Sequence, residues 1–152
     1  MKKLFLTAML IGMVGVAKAQ WTFKKVDNGF DEPYKVAYTN TNNFGFLKME
    51  KYNDGVTLYV KGSYFCGEKA TADISFWANN EWQKYTIDCN VSTDNSIVWL
   101  IEDLGYDKVF LTHFMNSTKV RIRITTEGCD NDIFEFPMGN SSRAYQFMKT
   151  QP

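Results

Sequence analysis

The sequence predicts an all-β protein, mainly an antiparallel β-sandwich, with a short C-terminal helix. Three observations carry this. β-Branched and aromatic residues alternate with polar ones at a period of two through most of residues 20–152. The alternating runs are short and are separated by Asn, Asp and Gly, which accept tight-turn backbone conformations. About eight such runs are readable with few helical patterns between them, and hairpins of that kind bury their apolar faces against one another.

The first elements are Trp21–Val26 and Tyr34–Tyr38, short strands around a turn region with Asn28-Gly29 and Pro33. Phe44–Tyr52 and Val56–Phe65 read as a hairpin with Asp54-Gly55 as its two-residue loop. That loop opposes Met49 to Val60 and Lys51 to Leu58, and leaves Lys48 unfavourably facing Lys61. A second hairpin joins Ala72–Trp77 to Trp82–Cys89 through Asn79-Asn80. It pairs Ile74 with Tyr85 and Ala72 with Ile87 on an apolar face. On the other face Ser75 meets Lys84, Asp73 meets Thr86, and Trp77 meets Trp82.

Ser96–Ile101 is apolar on both faces and reads as a central strand. Lys119–Thr125 turns Val120, Ile122 and Ile124 inward, and Asp132–Phe136 returns beside it with Phe134 and Phe136 on the core side. Residues 107–115 carry two patterns. Asp107 can cap a short helix with Phe110, Leu111, Phe114 and Met115 on one side, while Val109, Leu111 and His113 alternate as a strand would. Asn140 or Ser141 caps the final helix, with Ala144, Phe147 and Met148 inward.

Residues 1–19 read as a signal peptide. Met1-Lys2-Lys3 is a positive n-region, Leu4–Val16 is apolar, and Ala17-Lys18-Ala19 is a small-x-small cleavage site. Residues 20–152 then form a single domain with no membrane span after cleavage, placed in the periplasm or secreted. Losing Lys2, Lys3 and Lys18 leaves 14 basic residues against 17 acidic ones, a balance that argues against nucleic acid as a partner.

Cys66 and Cys129 each follow a strand-like run beside a glycine, whereas Cys89 is in phase with Tyr85 and Ile87 and reads as a buried thiol. A Cys66–Cys129 disulfide is therefore expected; the alternative gives Cys89 one of these partners. With no CxxC and one histidine, no metal or other cofactor is expected.

Catalytic constellations are thin, and no enzymatic activity is expected. His113 stands among Phe110, Leu111, Phe114 and Met115, and no motif places a nucleophile beside it. Glu102-Asp103 and Asp31-Glu32 read as solvated loop charges, and Asp130-Asn131-Asp132 as turn chemistry. The formal glycosylation sequons at Asn90, Asn116 and Asn140 read as turn and cap residues. The pair Trp77 and Trp82, beside Lys84 and Asp73 on the polar hairpin face, is the candidate ligand-binding group if that face is open; covered, it is core.

The order of elements from Val56 onward carries a resemblance. The strand ending in Cys66 is followed by Asp73-Ile-Ser-Phe-Trp77, Trp82–Asp88, Ser92–Leu100, the Phe110–Met115 segment and Thr118–Ile124. Phe134-Glu-Phe-Pro-Met-Gly139 then leads through Asn140-Ser-Ser-Arg to Ala144 before a last helix. This resembles small exported proteins of the invasion-associated locus B type and similar type VI secretion accessory proteins. The resemblance spans about two-thirds of the chain and implies a β-sandwich and a non-enzymatic envelope or secreted protein. It assigns no functional residue. The expected function is an exported, non-catalytic binding or accessory protein with an unknown protein or glycan partner. The alternative is a carbohydrate- or small-ligand-binding domain using the indoles.

Overall fold

A computed structural model describes residues 21–27, 29, 33–41, 45–52 and 55–150. Residues 1–19, which read as a signal peptide, and the carboxylates at 31 and 32 lie outside them. Among the described residues the alternating runs become nine strands and the two helical patterns become helices. They run β1 (Thr22–Val26), β2 (Tyr34–Asn40), β3 (Phe46–Tyr52), β4 (Gly55–Lys61), β5 (Lys69–Ala78), β6 (Glu81–Val91) and β7 (Ile97–Ile101). Then come α1 (Lys108–Asn116), β8 (Lys119–Thr126), β9 (Asp132–Pro137) and α2 (Ser141–Lys149).

All strand pairs are antiparallel, in the order β1-β2-β3-β4-β7-β6-β5-β8-β9. The doubly apolar run became β7, at the centre of that order. Only Asn90↔Trp99 and Val91↔Val98 join β6 to β7. At this narrow seam the ladder divides into two halves, and the long β6 belongs to both, as in sandwiches whose strands bend from one sheet to the other. β9 comes round against β2. Phe134 of β9 meets Phe65 at 6.2 Å, and Gly45 before β3 leaves room for the Phe134 ring, 2.4 Å from where a Cβ would stand.

The inner faces share one core. Leu47, Met49, Leu58 and Val60 enter from one half, and Ile74, Phe76, Ile122 and Phe136 from the other. Helix α1 packs on β5, and α2 packs on β2 and β3. Of the two patterns at 107–115 the helix prevails, because a helix turns Phe110, Leu111 and Phe114 together onto the core. Asp107 caps it, accepting from the backbone N–H groups of Val109 and Phe110 at 2.9 and 3.0 Å.

Four expectations need correction. Gly55 pairs with Tyr52 as a strand residue and is not part of the loop, while Asp54 lies outside the described residues; Met49 faces Leu58 and Lys51 faces Val56. Lys48 consequently faces Tyr59, not Lys61. β4 ends at Lys61, so Phe65 and Cys66 belong to the connection toward β5. Asn140 precedes α2 in the left-handed region (φ 69°) and makes no side-chain cap. Ser141 does not cap α2 either; its hydroxyl donates to the carbonyls of Phe114 and Met115 at 2.8 and 3.1 Å, tying the start of α2 to the end of α1.

Candidate functional site

The site begins with a turn. Asn79 and Asn80 both take positive φ, 52° and 63°, the combination a two-residue hairpin loop needs to match strand twist. Asn tolerates this conformation because its short side chain hydrogen-bonds locally. The turn fixes the β5–β6 register, and every expected pair is found: Ala72↔Ile87, Asp73↔Thr86, Ile74↔Tyr85, Ser75↔Lys84 and Trp77↔Trp82. Alternation then separates the two faces. Inward, Phe76 packs edge-on to Phe110 at 5.0 Å and Tyr85 to the same ring at 4.9 Å. Outward, Trp77 and Trp82 meet at 5.1 Å with their planes tilted by 58°, each half-buried.

β8 extends this outer face as the other neighbour of β5. Its register places Lys119 across from Trp77, Arg121 across from Ser75, and Arg123 across from Asp73. Lys119 Nζ and the Arg121 guanidinium lie over the Trp82 ring, 5.3 and 5.4 Å from its centroid. These cation–π contacts hold Trp82 and draw positive charge toward the indoles. Arg121 also donates to Glu135 at 2.8 Å. Arg123 donates to Asp73, which accepts a further bond from Thr86 Oγ1 at 2.8 Å. The Arg123 bond, helped by Thr86, holds the Asp73 carboxyl below the usual carboxylate range. Asp73 is thus a positioner of Arg123, while Lys84 is exposed with no ion pair among the described residues.

The remaining candidates are dispersed. Cys66 and Cys129 form a disulfide with a Cα separation of 5.8 Å. Gly67 and Gly128 beside them take positive φ, 68° and 89°, which explains the glycine next to each cysteine. Cys89 is buried and free, and burial pushes its thiol up to about 11. His113 Nδ1 shares a 2.5 Å hydrogen bond with the Tyr85 hydroxyl at the α1–β6 contact. Asp103 accepts from the Gly105 N–H at 2.9 Å, a turn role. Among the described residues no group of three or more His, Cys, Asp or Glu could hold a metal ion. None of the described helices is long and apolar enough to cross a membrane.

Two features escaped the sequence reading. On the outer face of the other half, Tyr59 OH and Lys48 Nζ both donate to Glu50 Oε1, at 2.6 and 2.8 Å, and the Tyr59 ring packs on Trp99 at 5.1 Å. Burial, and then the Glu50 bond, raise the Tyr59 phenol above its ordinary pKa. The same-face spacing of Lys48 and Glu50 was visible, and the expected register already set Tyr59 across from Glu50; the observed one sets it across from Lys48, with Glu50 on the diagonal. Lys35 is buried, in phase with Ala37, and its Nζ donates to the Thr150 carbonyl at 2.8 Å and the Phe147 carbonyl at 3.3 Å. A cation at the carbonyl end of α2 is favourably placed. Burial nevertheless lowers the Lys35 pKa, with Lys51 and Lys25 adding to the effect.

A shallow depression of about 150 Å³ is lined by Ser63–Phe65 and Asp132–Phe134. Tyr64 and Ile133 stand exposed at its edge.

No family model matches the sequence, and no curated protein matches it. The fold is similar to the crystal structure of invasion associated protein B from Bartonella henselae, with a TM-score of 0.59. The similarity covers 86% of this chain and 92% of that one at 11% identity. It is a likeness of fold, in line with the β-sandwich and with the resemblance in element order.

Proposed function

We propose that this chain is an exported, non-catalytic binding or accessory protein whose contact surface is the outer face of β6, β5 and β8, centred on Trp77 and Trp82. One observation carries the reading: two indoles stand together on the polar side of a hairpin whose opposite side already fills the core. Large aromatics outside the core are the side chains that most often anchor a ligand or partner. Export is supported by the signal-like first nineteen residues and by a disulfide suited to an oxidising compartment. The likeness of fold to invasion associated protein B is compatible with this.

The test is affinity capture from an envelope fraction with the wild-type chain and the Trp77→Ala chain side by side. The expected result is a bound species retained by the first and lost by the second, with similar melting curves for both. Capture that ignores Trp77 would move the contact surface elsewhere. The exposed Tyr64 and Ile133, 60% and 57% accessible beside the depression, favour a second reading in which a protein partner docks there. A Tyr64→Ser chain in the same assay separates the two.

A further inference from the structure

From the charge and shape of this face we infer that its ligand is an acidic glycan, recognised through a carboxylate-bearing sugar ring. The inference rests on the contact surface proposed above and narrows it to a chemical class.

Strand register lays the face out in rows. One row runs Trp82, Trp77, Lys119; the next runs Lys84, Ser75, Arg121. Strands stand about 4.8 Å apart, so Lys84 and Arg121 flank Ser75 with roughly twice that between their Cα atoms. Ser75 is the small residue of the group, and its hydroxyl makes no hydrogen bond among the described residues. The small Ser75 thus leaves a notch between the Lys84 and Arg121 positions, with the indoles in the next row and the Arg121 guanidinium reaching over Trp82.

The charge is unbalanced there. The carboxylates nearest the notch are engaged, Asp73 by Arg123 and Glu135 of β9 by Arg121, while Asp88, exposed on the outer face of β6, stands two outer positions beyond Lys84. Lys84 and Lys119 are left without a carboxylate partner among the described residues. The net positive charge of the notch stands out on a chain with equal numbers of acidic and basic residues. The indoles divide the work. Trp82 is occupied by Lys119 and Arg121, whereas among the described residues Trp77 has no ring or cation contact other than Trp82. Trp77 therefore keeps a π-face for the C–H face of a pyranose, while the ammonium of Lys84 and the Ser75 hydroxyl meet the carboxylate.

The experiment uses the full folded chain with its disulfide intact. An array of glycans in matched acidic and neutral pairs comes first, followed by calorimetric titration of the best acidic oligosaccharide and its methyl ester. The acid is expected to bind and the ester to bind about tenfold more weakly, with affinity falling as salt rises. Trp77→Ala and Lys84→Ala should each cost about tenfold, and only Lys84→Ala should flatten the salt dependence.

Equal binding of acid and ester would overturn the acidic class and leave the indole face standing as a contact surface. Acid binding that needs Lys84 and Lys119 but ignores Trp77 would reduce the effect to diffuse charge and overturn the inference. Binding to no carbohydrate would also overturn it. Trp77-dependent capture from the envelope fraction would then decide separately whether the contact surface survives.

Discussion

The β3–β4 and β5–β6 hairpins are the same unit read by the same rule, yet only the second has the register that its turn residues predict. Asn79-Asn80 is the one turn-competent pair between its strands, and both residues take the left-handed conformation the loop requires. Residues 53–55 read Asn-Asp-Gly, so two overlapping pairs can each serve as the loop. Side chains decide between them. The observed register removes the Lys48–Lys61 opposition and sets Lys48 against Tyr59, with Glu50 joining both. Because moving the loop by one residue changes partners by two, every pair changed while the faces stayed as read. Turn chemistry alone fixes a register only where it is unambiguous.

The largest expected effect tests the division of faces in the well-read hairpin. Phe76 is fully buried against Phe110, and Phe76→Ala should cost about 3–5 kcal/mol in chemical denaturation. Trp77, its neighbour in sequence, is half-buried on the outer face, and Trp77→Ala should cost less than about 2 kcal/mol. Equal losses would make both faces core and remove the argument for an open indole surface.

The turns themselves give the next contrast. Asn80→Val places a β-branched residue at positive φ and should destabilise by about 1–2 kcal/mol. Gly55 pairs with Tyr52 as a strand residue, is not at positive φ, and has ordinary contact distances of 3.5 Å and more around a new Cβ. Gly55→Ala should be neutral or stabilise by up to about 1 kcal/mol. A loss of that size or more would restore Asp54-Gly55 as the loop.

A smaller effect measures the side chains that settle the first register. Glu50→Gln keeps an acceptor for Tyr59 but removes the charge that Lys48 meets. The cost should be about 1 kcal/mol, since the pair is only partly buried. A double-mutant cycle with Lys48→Met should recover most of it as coupling. No coupling would mean the register is held by the apolar face alone.

Period-two alternation made the strands, their faces and the central β7 legible, because one buried face per strand leaves that signature. The pairing of Trp77 with Trp82, and of both with Lys84 and Asp73, was legible because it is local to one hairpin. The contribution of β8 was not. Lys119, Arg121 and Arg123 reach the face from 42 to 50 residues beyond their β5 partners in the chain, and no sequence rule says that β8 lies beside β5. The same limit hid Lys35, whose partners at the end of α2 are 112 to 115 residues distant. The β4 boundary was overread because Tyr64 and Phe65 are apolar, although they serve the connection toward Cys66 rather than a ladder.

A third connection, between β6 and β7, is built in another way and gives the mildest prediction. Here a carboxylate organises the turn. Asp94 accepts from the hydroxyls of Ser92 and Ser96 at 2.5 and 2.8 Å and from the Ser96 N–H at 3.2 Å. The turn in turn supports the segment that leads to Cys66, accepting from the Phe65 N–H at the Asn95 carbonyl. The Ser92 and Ser96 hydroxyl bonds hold the Asp94 carboxyl down to about 2, from an ordinary value near 3.8. A carboxylate whose folded-state pKa is depressed adds stability above its unfolded pKa and loses it as pH falls through the folded one. The Asp94 contribution should therefore be whole at pH 5 and fade between about pH 4 and pH 2. Asp94→Asn keeps the side-chain shape and cannot titrate, so its melting temperature should lie below wild type at pH 6. The gap should close on the way to pH 2. Parallel thermal melts over that range read the difference directly, and a gap that stays constant with pH would show that the carboxylate charge plays no part in holding the β6–β7 turn.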